Sequence, residues 1–303
     1  MSTSTSTTPL VDHIVILIPH SFLTAPPRWF ADLFRLYPGG RHADGRTENA
    51  LALLADGSYL EFIAFVPGAD RAPHHWGAKH EGSVVDWAVT LPPSPSLSEG
   101  VEGAELPQEN TFRDIQRRVR DKHAGIVYAD LVRGGRTRPD GEVIKWGVAF
   151  LKREEGSDAD AGPVEAGTVP FWCLDVTPRR LRVPYEHNDD GASDFTKHPT
   201  DVVGVADIEV LAQSGAVAES AKGVYDVLLG ERDGGDGGWK IGSPAGEKVH
   251  SGGAVRLGTS GEGAWRTNIT FFTDDERLVG TEVGGKVDDK HTLTFKLVAA
   301  FPK

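Results

Sequence analysis

The sequence predicts an α+β fold in which βαβββ modules form mixed sheets that curl around a cleft. One segment occurs twice, because Val11–Leu17 (VDHIVIL) returns as Val85–Leu91 (VDWAVTL). Both copies have the residue types of strands, and each is followed by a helical pattern and three further strand candidates. A repeat of this length is typical of duplicated subdomains, which usually enclose a pseudo-symmetric cleft. We therefore expect an eight-stranded sheet with helices outside it; the alternative is an ordinary α+β domain with two similar apolar strands.

The first module is predicted to begin at the first copy of the repeat. Aromatic and leucine side chains between Trp29 and Tyr37 recur at helical spacing, and Pro38-Gly39-Gly40 is predicted to end that helix. Asp56-Gly57 indicates a tight turn between the last two strands of the module. The second module repeats this order, with its helix predicted at Thr111–His123.

The last third of the chain carries a weaker version of the same pattern. Val205–Leu211 matches the first strand in its apolar residues, and the segment before it contains Pro178, Pro184 and Pro199. Proline-rich segments of this kind are typical of linkers. The predicted divisions are a disordered tail (1–10), paired modules over 11–176 (11–66 and 82–176), a linker (177–201) and a third related module (202–303).

Composition and charge exclude several classes of partner. The chain has 303 residues, of which 39% are hydrophobic and 25% charged, as in ordinary globular proteins, and its net charge is -12. Nucleic acids and anionic membranes both require a basic surface, so neither is an expected partner. The single cysteine, Cys173, excludes an intramolecular disulfide and a cysteine-rich zinc site.

No targeting or membrane-spanning segment is expected. Met1–Pro9 is rich in Ser and Thr and has no basic or apolar run, unlike a signal peptide. No apolar stretch approaches the ~18–20 residues that span a bilayer. We expect a cytoplasmic protein whose partner is a small molecule, and a homodimer is left open.

Longer motifs in the paired modules resemble the glyoxalase-like domain family of the vicinal oxygen chelate superfamily, and they are closest to its fungal members. The motifs are DHIV (12–15), PGGRHADGRTENAL (38–51), YLEFIA (59–64), DWA (86–88), RPDG (138–141), KW (145–146), PFWCLDVTPR (170–179) and HP (198–199). The resemblance covers most of residues 11–211 and implies a small-molecule enzyme. Because the superfamily includes isomerases, dioxygenases, epimerases, thiol transferases and metal-free drug-binding proteins, it does not specify the reaction.

The resemblance also implies where a metal would bind, since superfamily enzymes place ligands on the first and last strands of a module. His13 and Glu61 hold these positions in the first copy and are our predicted catalytic residues and metal ligands. A carboxylate inside the apolar run Tyr59–Phe65 is costly to bury unless it is paired or metal-bound. Imidazole and carboxylate together suit one divalent ion, such as Zn, Mn, Fe or Ni.

Other interpretations of these two residues stay open. His13 could be a core histidine, and Glu61 could pair with Arg41 or Arg46 or act alone as a general base, in which case no metal is needed. With or without a metal, the reaction is expected to be isomerase- or lyase-type chemistry next to oxygen. One rival hypothesis is a metal-free protein of the same fold that binds or sequesters a small molecule, and the other is a non-catalytic interaction protein that uses the third module.

The second copy is predicted to lack the matching ligands. Aligning the two copies sets Trp87 opposite His13 and Trp172 opposite Glu61. Because catalytic metal sites generally have three protein ligands, a third must come from elsewhere. The candidates are His42, His75 and His198.

Substrate contacts are predicted from two regions. The loop Gly39–Asn49 offers His42, Arg46 and Asn49 to an oxygen-rich ligand, and Tyr59 shares the strand face of Glu61. An aromatic wall is predicted from Trp87, Trp146 and Trp172, for which core packing is the alternative.

The remaining notable residues are given structural roles. Arg179, Arg180 and Arg182 are expected to be solvated charges rather than partners of a carboxylate. Cys173 is expected to be buried filler rather than a nucleophile. Pro73-His74-His75-Trp76 lies between the two copies and could form a lid.

Overall fold

A computed structural model describes residues 8–42, 44–92, 107–122, 126–138, 141–154, 165–185, 194–232, 237–261 and 265–301. Most of the predicted disordered tail lies outside these residues. The first module contains β1 (Leu10–Leu17), α1 (His20–Thr24), α2 (Arg28–Ala31), β2 (Tyr37–Arg41), β3 (Thr47–Leu53) and β4 (Tyr59–Phe65). The predicted turn between the last two strands is present, with Gly57 at φ +82°, a conformation that glycine adopts without strain.

The predicted first-module helix is much shorter than expected. Only Arg28–Ala31 is helical, and Pro38-Gly39-Gly40 lies inside strand β2 instead of ending the helix. The aromatic side chains of this segment pack on each other and on the sheet, as Phe30 does edge-on against Phe62 at 4.7 Å. Tertiary packing, and not helical periodicity, therefore explains their spacing.

The second module is followed by a short helix. Their elements are β5 (Ser83–Thr90), α3 (Pro107–Lys122), β6 (Ile126–Tyr128), β7 (Val132–Thr137), β8 (Val143–Ala149), β9 (Leu151–Arg153), β10 (Phe171–Asp175) and α4 (Arg179–Arg182). Eight strands form one mixed sheet in the order β2-β3-β4-β1-β5-β10-β8-β7.

The strand order confirms the predicted fold class. In each module the first strand is parallel to the last, since β1 pairs with β4 and β5 with β10, and the middle strands extend the sheet antiparallel beyond them. The modules join where β1 and β5 pair antiparallel. The sheet curls so far that Arg136 on one edge strand, β7, donates a hydrogen bond to the Gly39 carbonyl on the other edge strand, β2, at 2.8 Å.

The last third of the chain forms a second sheet of six strands. Its elements are β11 (Val202–Ala212), α5 (Gly215–Leu229), β12 (Trp239–Ile241), β13 (Gly253–Thr259), β14 (Arg266–Thr273), β15 (Glu282–Lys286) and β16 (Thr292–Ala299), in the order β12-β13-β11-β14-β16-β15. The central strands β11 and β14 are antiparallel, and each has a parallel neighbour, as in the larger sheet. The division of the chain into linker and third module stays a prediction.

The second sheet covers the outer face of the first. Phe34 meets the rings of Phe271 and Phe295 at 5.9 and 5.7 Å, and Trp87 stacks with Tyr225 on α5 at 6.3 Å. Burial of these side chains gives one apolar core between the sheets. The inner face of the first sheet is thereby left to form the cleft. In the described part of the chain, no helix is long and apolar enough to span a membrane.

Candidate functional site

The inner face of the eight-stranded sheet lines a cleft of about 580 Å³. Its lining combines polar side chains from the first module with aromatic side chains from the second. This volume falls in the range of small-molecule sites. The lining residues that matter most are His13, His42, Asn49, Tyr59, Glu61, Trp76, Arg136, Trp146, Phe150 and Phe171.

Glu61 is the central acidic group of the cleft, and it is 8% exposed. Its Oε1 accepts a hydrogen bond from Asn49 Nδ2 at 2.6 Å and lies 3.5 Å from His42 Nε2, while its Oε2 lies 3.5 Å from His13 Nε2. Burial alone would raise the pKa of Glu61, but the contacts with His42, His13 and Asn49 outweigh it and lower the pKa to about 2. Glu61 is therefore ionised, and a carboxylate of such low pKa is a poor general base near neutral pH.

His42 faces the same carboxylate from the loop that follows β2. Its Nδ1 lies 2.7 Å from Thr47 Oγ1, which fixes the ring in the hairpin. The contact with Glu61 raises the pKa of His42, although burial acts in the opposite direction. Of the three histidines considered as a third ligand, His42 is thus the one beside the predicted pair.

His13 is held in a fixed orientation and is 3% exposed. Its Nδ1 donates a hydrogen bond to Asp12 Oδ1 at 2.6 Å. The ring stacks on Tyr59 at 4.6 Å and meets Phe171 edge-on at 5.3 Å. These contacts direct Nε2 of the ring toward the Glu61 carboxylate.

Two buried arginines bind Asp12, the hydrogen-bond partner of His13. Asp12 accepts hydrogen bonds from Arg179 Nη1 at 2.5 Å and Arg182 Nη2 at 2.7 Å, and both arginines also bind Asp175. Burial would raise the pKa of Asp12, but the two guanidinium charges hold it well below its usual range. Arg179 and Arg182 are 4% and 7% exposed, so our expectation of solvated charges is wrong for both, and only Arg180 is exposed.

The pairing of β1 with β5 relates the two modules. Ile14 pairs with Trp87, and on either side His13 pairs with Ala88 and Val15 with Asp86. The pairing is symmetric about the middle pair, so a twofold rotation that places Ile14 on Trp87 also places His13 on Asp86. Each residue of β1 therefore corresponds to the residue 73 positions later in β5. The counterpart of His13 is therefore Asp86, whereas our alignment, shifted by one residue, had chosen Trp87.

The same shift applies to the last strands. Val15 pairs with Glu61 in the first module, and its counterpart Ala88 pairs with Phe171 in the second. Phe171, and not Trp172, thus corresponds to Glu61. A shift of one residue moves a side chain to the other face of a sheet, which is why the prediction failed.

Trp87 and Trp172 consequently do not line the cleft. Both are fully buried on the outer face, where Trp172 packs against Phe112 and Tyr128. The prediction that they contact substrate is wrong, and core packing, the alternative, is what the structure has. Trp146 does line the cleft, and its contact with substrate stays a prediction.

The remaining predicted residues have distinct positions. Asn49 and Tyr59 line the cleft, and Tyr59 Oη lies 3.1 Å from Arg182 Nη1. Arg46 does not line it, since its side chain points to Asp44 at 3.9 Å. Arg41 pairs with Glu48 rather than with Glu61.

The other two histidine candidates lie away from Glu61. His198 Nε2 contacts the Leu53 carbonyl at 2.9 Å, and its Nδ1 accepts a hydrogen bond from the Arg35 amide. His75 packs on Trp76 and Phe150. Burial lowers the pKa of both histidines to about 4, so both are neutral.

Comparison with family models decides the family. The model of the glyoxalase-like domain matches residues 11–225, more than half of the chain. The chain belongs to the glyoxalase-like domain family. The strand order places this glyoxalase-like protein in the vicinal oxygen chelate superfamily, whereas its assignment to the fungal members stays a prediction.

One solved structure agrees with the fold of the glyoxalase-like protein. A hypothetical protein from Staphylococcus aureus has a TM-score of 0.55 at 10% sequence identity, with 95% of this chain and 99% of that chain covered. BphC, a halotolerant catechol dioxygenase, has a TM-score of 0.45 at 11% identity, with 98% and 88% covered. At this identity the first likeness shows a shared fold and nothing of the reaction. Comparison with curated proteins gave no match.

Two groups of side chains in the glyoxalase-like protein bring potential metal ligands together. Asp12, His13 and Cys173 bring ligand atoms within 4.8 Å of one another. However, both Asp12 oxygens already accept hydrogen bonds from guanidinium groups, whose positive charges would repel a cation. Burial also raises the pKa of the Cys173 thiol, which opposes metal binding by a thiolate. This set does not fit a metal.

The second set, His13 Nε2, Glu61 and His42 Nε2, does fit. Both nitrogens lie 3.5 Å from a carboxylate oxygen, which is long for a hydrogen bond. Ligands at bond lengths of roughly 2.0–2.2 Å around a tetrahedral ion are about 3.4 Å apart. The hydrogen bond from His13 to Asp12 is also the outer contact that metal-binding histidines usually make.

Several site residues were not identified from the sequence. Arg136, Phe150, Phe171 and Asp12 all contribute to the cleft or its support. The signal for Arg136 was the recurrence of Gly-Gly-Arg at residues 39–41 and 134–136. Nothing in the local sequence indicated Phe150, because its place in the cleft depends on the pairing of distant strands.

Proposed function

We propose that this protein is a small-molecule enzyme in which His13, Glu61 and His42 hold one divalent metal ion at the floor of the cleft. The observation that carries the proposal is the placement of two imidazole nitrogens at 3.5 Å from the two oxygens of one buried, ionised carboxylate. A set of two histidines and one carboxylate suits Zn, Mn, Fe or Ni.

The chemistry of such an ion narrows the reaction class. A divalent ion polarises substrate oxygen and acidifies an adjacent C–H bond, which supports isomerase- or lyase-type chemistry next to oxygen. The protein residues would fix the geometry: Asp12 orients the His13 ring, and Asn49 orients the Glu61 carboxylate through hydrogen bonds. Trp146, Phe150 and Phe171 would hold an apolar part of the substrate and exclude water.

Metal content tests the proposal. We expect about one equivalent of a transition metal, by mass spectrometry of the untagged protein after incubation with Zn, Mn, Fe and Ni, and its loss in Glu61→Ala. A matched control is Glu48→Ala, which removes a carboxylate on the neighbouring strand that pairs with His20 and Arg41 and does not itself line the cleft. Absence of metal from the wild-type protein under all four conditions would overturn the chelate mechanism.

A metal-free binding protein is the second candidate, and one observation favours it. The second module has Phe171 at the position of Glu61, and its Asp86 is covered by the Trp76 indole, which donates to it at 3.2 Å. The second module therefore offers no free pair of ligands to match His13 and Glu61 in the first. This candidate predicts ligand binding without metal and without turnover, so a ligand that binds equally well in the presence of a chelator and is recovered unchanged would support it.

A further inference from the structure

Arg136 places a positive charge in the cleft. It lies on edge strand β7, and its Nη1 donates to the Gly39 carbonyl on β2 at 2.8 Å. This hydrogen bond uses one of the five N–H groups of the guanidinium. The side chain is half-buried and lines the cleft, so its remaining donors are available to a ligand.

Of the arginines that line the cleft, Arg136 is the one without a carboxylate in direct contact in the described part of the chain, although Glu61 attracts it at longer range. Arg41 pairs with Glu48 at 2.7 Å, and Arg182 is neutralised by Asp12 and Asp175. Among the described residues, no carboxylate forms an ion pair with Arg136, and its cross-strand neighbour on β8 is the apolar Ile144.

Partial burial should favour the binding of an anionic ligand to Arg136. Desolvation lowers the pKa of Arg136, although a guanidinium stays protonated throughout the physiological range. A half-buried cation without a carboxylate partner has lost part of its hydration, and a ligand anion would replace what was lost.

The part of the cleft wall that the second module contributes is aromatic. Phe150 and Phe171 stack at 4.7 Å with an interplanar angle of 23°, and Trp146 lines the same cleft from β8. Gly134, opposite Trp146 on β7, leaves the indole uncovered, because a Cβ there would lie 3.0 Å from its Nε1. Planar rings bind such surfaces by stacking or edge contacts.

We propose that the cleft selects a planar aromatic acid, whose carboxylate pairs with Arg136 and whose ring lies against Phe150, Phe171 and Trp146. The inference rests on the proposed function in that it concerns the same cleft, and it names the substrate class. The polar floor of His13, Glu61 and His42 would then face an oxygen-bearing part of the same molecule.

The test compares two probes that differ in charge alone. Calorimetric titration of the full chain with 2-naphthoate and with its neutral isostere 2-naphthamide should give an affinity for the acid that is about tenfold or more higher, as expected for a hydrogen-bonded ion pair. Arg136→Gln should remove this preference, and Arg136→Lys should restore part of it. Arg180→Gln, which removes an exposed arginine outside the cleft, should leave it unchanged.

The experiment tests the binding of an aromatic acid independently of the proposed metal site. The titrations are run on chelator-treated protein and on protein incubated with Zn. A preference for the acid in both states that depends on Arg136 supports the inference even if no metal binds. Equal affinity for acid and amide in the wild-type protein overturns it, as does a preference that survives in a folded Arg136→Gln protein, with folding checked by circular dichroism and thermal melting.

Discussion

His13 on β1 and Asp86 on β5 occupy equivalent positions in the two modules, related by a register that is symmetric about the pair Ile14 and Trp87. One position faces the open cleft beside Glu61, and the other is closed by the indole of Trp76. The duplication has therefore given two similar frameworks with different chemistry. The first module offers metal-type ligands, and the second offers an aromatic surface with a covered carboxyl group.

The covered carboxyl group should make stability depend on pH. Burial raises the pKa of Asp86 from 3.8 to about 7, although hydrogen bonds from Trp76 and the Trp87 amide oppose it. Between these values the folded state binds more protons at this site than the unfolded state does, so the free energy of unfolding should fall as pH rises from about 4 to about 7. The shift corresponds to about 4 kcal/mol over the whole window.

Urea unfolding at a series of pH values measures this contribution, and Asp86→Asn removes it. The variant loses a hydrogen-bond acceptor at every pH, but its stability should change less steeply across the window than that of the wild-type protein. Two parallel curves would mean that Asp86 titrates normally in the folded state.

Asp12 should be much more important for stability than its single negative charge suggests. Asp12→Asn leaves Arg179 and Arg182 with Asp175 as the remaining carboxylate of the buried cluster, and breaking a buried ion pair typically costs about 3–5 kcal/mol. Asp32→Asn is the control, because its pair with Arg28 is exposed and should contribute less than about 1 kcal/mol. Similar unfolding free energies for both variants would contradict the structural role of the cluster.

The two classes of tryptophan should separate in a stability measurement. Trp87→Ala removes a fully buried indole from the core between the sheets and should cost about 3–5 kcal/mol in unfolding free energy. Trp146→Ala should cost much less, since its side chain is only partly buried in the cleft, but it should weaken binding of 2-naphthoate. If Trp87→Ala instead weakened ligand binding at unchanged stability, its placement on the outer face would be wrong.

His42 should be distinguishable from the other histidine candidates by metal binding. Removal of an outer hydrogen-bond partner already lowers metal affinity by about 10–100-fold, so loss of a ligand in His42→Ala or His13→Ala should cost at least as much. His75→Ala should leave the affinity unchanged, because His75 packs on Trp76 and Phe150. Equal effects of His42→Ala and His75→Ala in a zinc titration would remove His42 from the ligand set.

Much of the architecture followed from the sequence because the apolar pattern repeats. The two copies of the first strand, the glycine at the Asp56-Gly57 turn and the position of Glu61 in an apolar strand are all local features. They predicted βαβββ modules around a cleft with a carboxylate in its wall, and the strand order agrees.

Tertiary structure decided which side chains of the second module line the cleft. Each of β1 and β5 contains one extra residue in its pairing, Asp12 in the first and Val85 in the second, and such bulges interrupt the alternation of faces. The best match of letters differs by one residue from the match of positions, and because side chains alternate between the two faces of a sheet, that one residue places Trp87 and Trp172 in the core.

The sequence alone determined that this chain would form paired modules with an ionisable floor, because hydrophobic periodicity and buried polar residues are properties of single segments. Only the tertiary structure decided that His42 joins His13 and Glu61, that Arg179 and Arg182 are buried, and that Arg136 crosses the cleft without a carboxylate partner in the described part of the chain. Each of these depends on contacts between segments that are apart in the chain, and such contacts form only when the strands pair in their observed register.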